Sequence, residues 1–283
     1  MRLDTLYVTD LDGTLFDPTS SVSDESVEIL NSLIDRGAMI TFATARTPAT
    51  VQPLLSRIRQ AHTPSGRAIP AIVMTGAAYW DRNPGEYVYT RFISREGTQL
   101  IREALAEENI NAFEYTLGER GILNVYHSAK LTTREDNFYQ ERRHLTLKRF
   151  HLGQHPSDNE PTVLFFGIAS PEKAERLCSG LRRLGLCSPN WYLDIFNPGV
   201  ALIDIYAPDC SKSFAVKDLS DKLGCTRTVV FGDNLNDIPM LEVADLAVAM
   251  ENADPAAKEA ADVVIGPNTR PSVARFIAED FEG

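Results

Sequence analysis

Residues Thr5–Phe16 read TLYVTDLDGTLF, and the rest of the chain is organised around them. Leu6, Tyr7 and Val8 form a short apolar run of the kind that makes a buried strand. The run ends in two carboxylates, Asp10 and Asp12, one residue apart, followed by the turn residues Gly13 and Thr14. Open α/β sheets bind ligands outside the carboxyl ends of their strands, which is where this pair would lie. Two carboxylates so close are comfortable as anions only with a cation or a shared proton between them. A hard divalent cation, most simply Mg2+, meets that need. A bare Asp-x-Asp taken alone is more often a solvated acidic turn, because short motifs recur by chance. The remaining sequence decides between the two.

On the carboxyl side of this stretch the pattern repeats. Ser23 is placed as an N-cap, Val27, Leu30, Leu33 and Ile34 follow at helical spacing, and Gly37 closes the helix. Ala38–Ala45, AMITFATA, is a second strand-like run, ending on Thr44 and Arg46. Thr47-Pro48 opens another helix with Val51, Leu54, Leu55 and Ile58 on one face. Ala71–Met74 is a third strand. Near-continuous apolar strands alternating with helices predict a doubly wound, mostly parallel sheet covered on both faces.

After Gly76 the rhythm changes. Asn83-Pro84-Gly85 and Asn197-Pro198-Gly199 mark hairpins, the second between Trp191–Phe196 and Val200–Tyr206. Strands at 112–115, 122–126 and 162–168 and helices at 94–109, 133–145 and 171–184 lie between. A run of hairpins and helices predicts an inserted α+β domain over residues 84–206. The first rhythm returns from Ala207, so residues 1–83 and 207–283 form the sheet domain. Ser211 opens a helix to Leu223, and Thr228–Phe231 runs into Gly232-Asp233-Asn234-Leu235-Asn236-Asp237. A helix over 235–243 and strands at 246–250 and 263–265 complete the pattern.

Charge and composition narrow the function. The net charge of −11, from 39 acidic and 28 basic residues, disfavours nucleic acid and anionic lipid as partners. No apolar run approaches the roughly 20 residues of a membrane span, and no secretory signal pattern precedes the first strand. The cysteines at 178, 187, 210 and 225 form no Cys-x-x-Cys, which points away from zinc and towards reduced thiols. A cytoplasmic protein with a small-molecule substrate is expected; its oligomeric state is not encoded in any pattern.

Four polar positions fall at strand ends or helix starts of the sheet domain: Asp10/Asp12, Thr44, Lys212 and the 232–237 run. Phosphoryl transfer needs an oxygen nucleophile, a divalent cation and fixed donors for the remaining charge. Asp10 suits the nucleophile, forming an aspartyl-phosphate. Asp233 completes the metal site, Thr44 donates a hydroxyl hydrogen bond and Lys212 supplies a compact positive charge. Asp12 protonates the leaving oxygen and then deprotonates the attacking water. Each of these residues has an ordinary structural reading by itself; their joint order does not.

The blocks DLDGTL at 10–15, TFATAR at 41–46, SKSFAVKDL at 211–219 and GDNLNDIPML at 232–241 resemble the haloacid dehalogenase-like (HAD) superfamily, within it the Cof-type phosphatases of subclass IIB. The insert sits where that subclass carries its cap. The resemblance implies a HAD-like, Rossmann-type core and a Mg2+-dependent phosphatase acting on a small phosphorylated metabolite, a sugar phosphate or similar. It implies Asp10 as nucleophile and metal ligand, Asp12 as general acid/base with its backbone carbonyl on Mg2+, and Asp233 as the remaining metal carboxylate. It places Thr44 and Lys212 on the phosphoryl group, Asn236 in contact with phosphate, Asp237 behind the lysine and metal, and Arg46 at the entrance or on phosphate. Two departures affect substrate contacts: Ala45 replaces the usual glycine before the arginine, and Thr75-Gly76-Ala77 replaces Asn-Gly-Ala. A phosphomutase or phosphotransferase using the same aspartyl-phosphate is the alternative. Tyr115, Tyr126, His127 and Asn197 are candidate pocket residues of the insert, with core or turn roles the stronger expectation.

Overall fold

The opening run forms strand β1 (Thr5–Thr9), buried from Leu6 to Thr9 in a computed structural model that describes residues 4–157, 159–194 and 197–283. Helix α1 (Asp24–Asp35) starts where Ser23 Oγ accepts the Ser26 N–H at 3.2 Å, as the capping pattern predicts. Strand β2 (Met39–Phe42) is buried throughout. Helix α2 (Pro48–Val51) is a single turn, shorter than its apolar spacing suggests. Pro53 has no N–H to continue the ladder, and the chain proceeds in turns. Val51, Leu55 and Ile58 are nonetheless buried, so the apolar face survives without the helix. Strands β3 (Ala71–Val73), β4 (Ala78–Asp81) and β5 (Glu86–Thr90) form a small three-stranded sheet in that order.

The chain divides into two compact units, Met1–Tyr89 with Ser211–Gly283, and Thr90–Cys210. The inserted unit holds α3 (Arg95–Glu107), β6 (Ala112–Leu117), β7 (Leu123–His127), α4 (Thr133–Arg142), β8 (Lys148–Leu152), β9 (Thr162–Ala169), α5 (Pro171–Leu184), β10 (Ser188–Leu193) and β11 (Ala201–Tyr206). Its sheet runs β10-β11-β9-β6-β7-β8, antiparallel except for the β7–β8 pair. Strand β8 has no counterpart in the expected pattern: buried Lys148 stands where alternation calls for an apolar residue. Strand β10 begins earlier than expected because Pro189 is tolerated on an edge strand. Ile195 and Phe196, at the end of the expected hairpin strand, lie outside the described residues.

The first unit resumes with α6 (Lys212–Leu223), β12 (Arg227–Gly232), α7 (Ile238–Leu241), β13 (Leu246–Met250), α8 (Pro255–Glu259), β14 (Val263–Ile265) and α9 (Ser272–Glu282). The predicted helix over 235–243 is a 3-10 turn, Leu235–Asp237, leading into the short α7. All pairs in the sheet β14-β13-β12-β1-β2 are parallel. From β1 the chain moves to β2 on one side and later returns to β12 on the other. The order therefore reverses at β1, and the β1/β12 junction is the switch point where such sheets open a crevice. Among the described residues no helix is long and apolar enough to cross a membrane.

Candidate active site

Asp10 is the first residue after β1, and its N–H bonds Phe231 O of β12 at 3.0 Å, which fixes it at the switch point. It is buried, and so is Lys212 at the start of α6. The Lys212 ammonium lies 2.5 Å from Asp10 Oδ1 and 2.8 Å from Asp237 Oδ1. A cation in a first helical turn opposes the helix dipole; two carboxylates offset that cost here. Ser211 Oγ accepts the Phe214 N–H at 3.0 Å and so anchors the helix end that carries the lysine.

The 232–237 loop is wound around Asp237, whose Oδ2 accepts the N–H groups of Asp233 at 3.1 Å and Asn234 at 3.2 Å. Gly232 permits that closeness, since a Cβ there would lie 2.7 Å from Asp237 Cβ. Asp233 Oδ1 accepts the Thr14 hydroxyl at 3.0 Å. Gly13 is at φ +83°, and a Cβ on it would collide with Asp233 Oδ2. Glycine is therefore required there twice over, by conformation and by space.

Asp10, Asp233 and Asp237 each offer an oxygen within 4.8 Å of the others. Burial first, and the neighbouring carboxylates after it, push Asp10 up to about 8 against the pull of Lys212. Burial, with Asp237 next, raises Asp233 to about 6, against the Thr14 hydrogen bond. Burial alone would lower Lys212, but Asp10 and Asp237 outweigh it and hold the ammonium above its ordinary range. A short contact between Asp10 and an ammonium fits an ionised carboxylate, while the raised value of Asp10 favours protonation. Burial disfavours the charge on Asp10 first, and the single Lys212 ammonium does not offset that together with the carboxylates of Asp237 and Asp233. This donor set fits a divalent cation. Asp237 spends both oxygens on Lys212 and loop N–H groups, whereas Oδ2 of Asp10 and of Asp233 takes no hydrogen bond from the described residues.

The other predicted positions are distributed around this cluster. The Ala43 N–H bonds Thr9 O at 3.0 Å, which sets buried Thr44 beside the Asp10 end of β1. The Thr44 hydroxyl accepts the Arg46 N–H at 3.1 Å, leaving its own hydrogen to donate. The Asp12 carboxylate stands outside the acidic cluster, paired with Arg46 through Nε–Oδ2 at 2.7 Å and Nη2–Oδ1 at 2.5 Å. Asn236 is exposed on its turn and bonds none of the other site groups among the described residues. Ala45 has no left-handed backbone, so the loss of a glycine there strains nothing. Thr14, a turn residue of the DLDGTL block, supports the cluster through Asp233, and two supports lie outside every motif: Asn252, whose Nδ2 donates to Gly13 O at 2.8 Å, and Asn268, whose Nδ2 donates to Phe16 O at 2.8 Å. In the inserted unit Tyr115, Tyr126 and His127 are buried, and exposed Asn197 donates to Asp194 Oδ2 at 2.8 Å within its turn.

The site is thus a buried aspartate–lysine–aspartate cluster at the switch point of a doubly wound parallel sheet, where such folds bind their ligands. The model of the haloacid dehalogenase-like hydrolases matches residues 7–277, and the chain belongs to that family. The chain is 25% identical over 274 residues to the 5-amino-6-(5-phospho-D-ribitylamino)uracil phosphatase YcsE of Bacillus subtilis, covering 96% of this chain and 94% of that one. It is 27% identical to the pyridoxal phosphate phosphatase YbhA of Escherichia coli, covering 95% of each. Its fold matches TM0651 of Thermotoga maritima with a TM-score of 0.74 at 22% identity, covering 99% of this chain and 97% of that chain. It matches the HAD subclass IIB sugar phosphatase BT4131 with a TM-score of 0.71 at 21% identity, covering 98% of each. The chain is a HAD-type enzyme, and these curated relatives are named as phosphatases.

Proposed function

We propose that this enzyme is a Mg2+-dependent phosphatase that hydrolyses a small phosphorylated metabolite through an aspartyl-phosphate on Asp10. The observation that carries the reading is the buried Lys212 ammonium between Asp10 and Asp237 at the sheet switch point, beside Asp233. Asp10 and Asp233 would hold the cation, with the Asp12 carbonyl as a further ligand and Asp237 fixing the loop behind them. When bound, Mg2+ neutralises charge on the phosphoryl oxygens. Asp10 attacks phosphorus, and the P–O bond to the leaving group breaks. Asp12 gives that oxygen a proton, then takes one from the water that attacks the aspartyl-phosphate, releasing phosphate and restoring Asp10. Lys212 keeps Asp10 oriented and, with Thr44, steadies the phosphoryl oxygens. Asn236 stands as a further candidate phosphate contact.

The inserted unit is assigned the choice of leaving group, and exchanging residues 90–210 for those of a relative should change substrate preference. Purified protein with Mg2+ should release phosphate from an aryl phosphate and from members of a phosphorylated-metabolite panel. Asp10→Asn should abolish release. Normal turnover by that variant would sink the reading, and recovery of an isomerised sugar phosphate in place of free phosphate would indicate a mutase.

A further inference from the structure

Arg46 is held from both sides of its own backbone. Its N–H donates to Thr44 Oγ1 at 3.1 Å, and its carbonyl accepts the Met74 N–H at 3.0 Å. From this fixed base the guanidinium reaches three points of the segment after β1. It forks onto both oxygens of Asp12 at 2.7 and 2.5 Å, and Nη2 also donates to Ser20 Oγ at 3.1 Å. Its Cζ lies 5.8 Å from the centroid of the Phe16 ring. Ser20 sits at φ 58°, a left-handed conformation that serine seldom adopts, and so holds its hydroxyl at the guanidinium at a conformational cost. The Asp12 side chain is about half exposed, at 51%, so packing alone does not set its rotamer. The fork does.

We infer that Arg46 is a positioning residue that fixes the Asp12 carboxyl group for proton transfer, and that its planar two-point geometry, more than its charge, does this. The inference rests on the phosphatase reading above. A carboxyl group that transfers a proton in each half of a reaction must meet two different oxygens in a narrow range of geometry. The guanidinium takes one lone pair from each Asp12 oxygen and leaves the second for the travelling proton. A lysine ammonium at position 46 would keep the charge but present no fork.

The test uses leaving groups that differ in their need for a proton. A nitrophenolate departs unprotonated, whereas an alkoxide does not. Arg46→Lys and Arg46→Met are assayed with Mg2+ on nitrophenyl phosphate and on a simple alkyl phosphate. The value of kcat/KM reports the steps up to phosphoenzyme formation. Both variants should lose about 10- to 100-fold in kcat/KM on the alkyl ester, within the range of general acid catalysis, and change little on the nitrophenyl ester. Equal losses on the two esters, or full rescue by lysine, would make Arg46 a phosphoryl ligand and overturn the inference. Absence of phosphate release by the unaltered enzyme would instead refute the phosphatase reading, a distinguishable result. The brace is also checked without turnover, by thermal unfolding of Arg46→Met, Asp12→Ala and the double variant. Non-additive Tm shifts are expected, and strict additivity would overturn it.

Discussion

Thr75 occupies φ 56°, ψ 31°, a left-handed conformation that is costly for a β-branched side chain. Its N–H bonds Thr44 O at 3.0 Å, so the strain is held in place beside the site. The departure from Asn-Gly-Ala thus has a measurable consequence. Asparagine tolerates this conformation, and Thr75→Asn should raise the unfolding free energy by about 1 kcal/mol. Urea unfolding measures it, and a lowered midpoint would contradict the strain argument. At the same scale, the charged residues of the site were legible in the sequence because each interrupts an apolar or glycine-marked context. Asp10 ends a buried strand, Lys212 opposes a helix dipole, and Asp233 and Asp237 bracket a tight turn. Ser20, Asn252 and Asn268 were not legible. Their partners are a guanidinium or main-chain groups distant in sequence, and no spacing rule announces such bonds.

Helix α6 shows how an element carries a single functional atom. Lys212 is its first residue, and the Ser211 cap satisfies the Phe214 N–H at 3.0 Å. Ser211→Ala removes that bond and should cost about 1 kcal/mol of stability. Because the frayed turn is the one that aims the ammonium at Asp10, phosphatase activity should fall with it. Ser211→Thr keeps the oxygen and should keep both stability and activity. An Ala variant with intact activity would show that Lys212 is placed by its carboxylate partners alone. Elements whose ends are capped, such as α1, α5 and α6, were readable because caps and closing glycines are local signals. Helix α2 and strand β8 were not. Pro53 cuts an otherwise helical pattern, and buried Lys148 breaks the alternation of a strand that pairs in parallel with β7.

For the whole molecule, the division into two units bears on how the chain responds to pH. Two buried groups of the inserted unit carry opposite penalties. Burial raises Asp204 to about 6, against the Tyr192 hydroxyl that bonds it at 3.2 Å. Burial, with Arg142 adding to it, lowers Lys148 to about 7, although its ammonium lies 5.2 Å from the Tyr115 ring centroid. Below about pH 4 Asp204 is protonated in the folded and unfolded chain alike and costs nothing. As pH rises to 6 the unfolded chain releases this proton first, so stability falls and then stays reduced. Lys148 is charged in both states below pH 7, where its penalty is complete. Between about pH 7 and 10.4 only the unfolded chain keeps that proton, so stability rises again. The two penalties overlap at pH 6 to 7. Asp204→Asn should therefore stabilise the inserted unit above pH 6, by an amount on the order of 3 kcal/mol, and change little below pH 4. Lys148→Met should stabilise it at and below pH 7, with the gain fading as pH approaches 10. The two tryptophans separate the units, Trp80 in β4 and Trp191 in β10. In urea unfolding at pH 7 followed with single-tryptophan variants, each substitution should move the Trp191 transition and leave the Trp80 transition in place. Equal movement of both would show one cooperative unit, and no movement of either would show that Asp204 and Lys148 are not held charged within the folded insert.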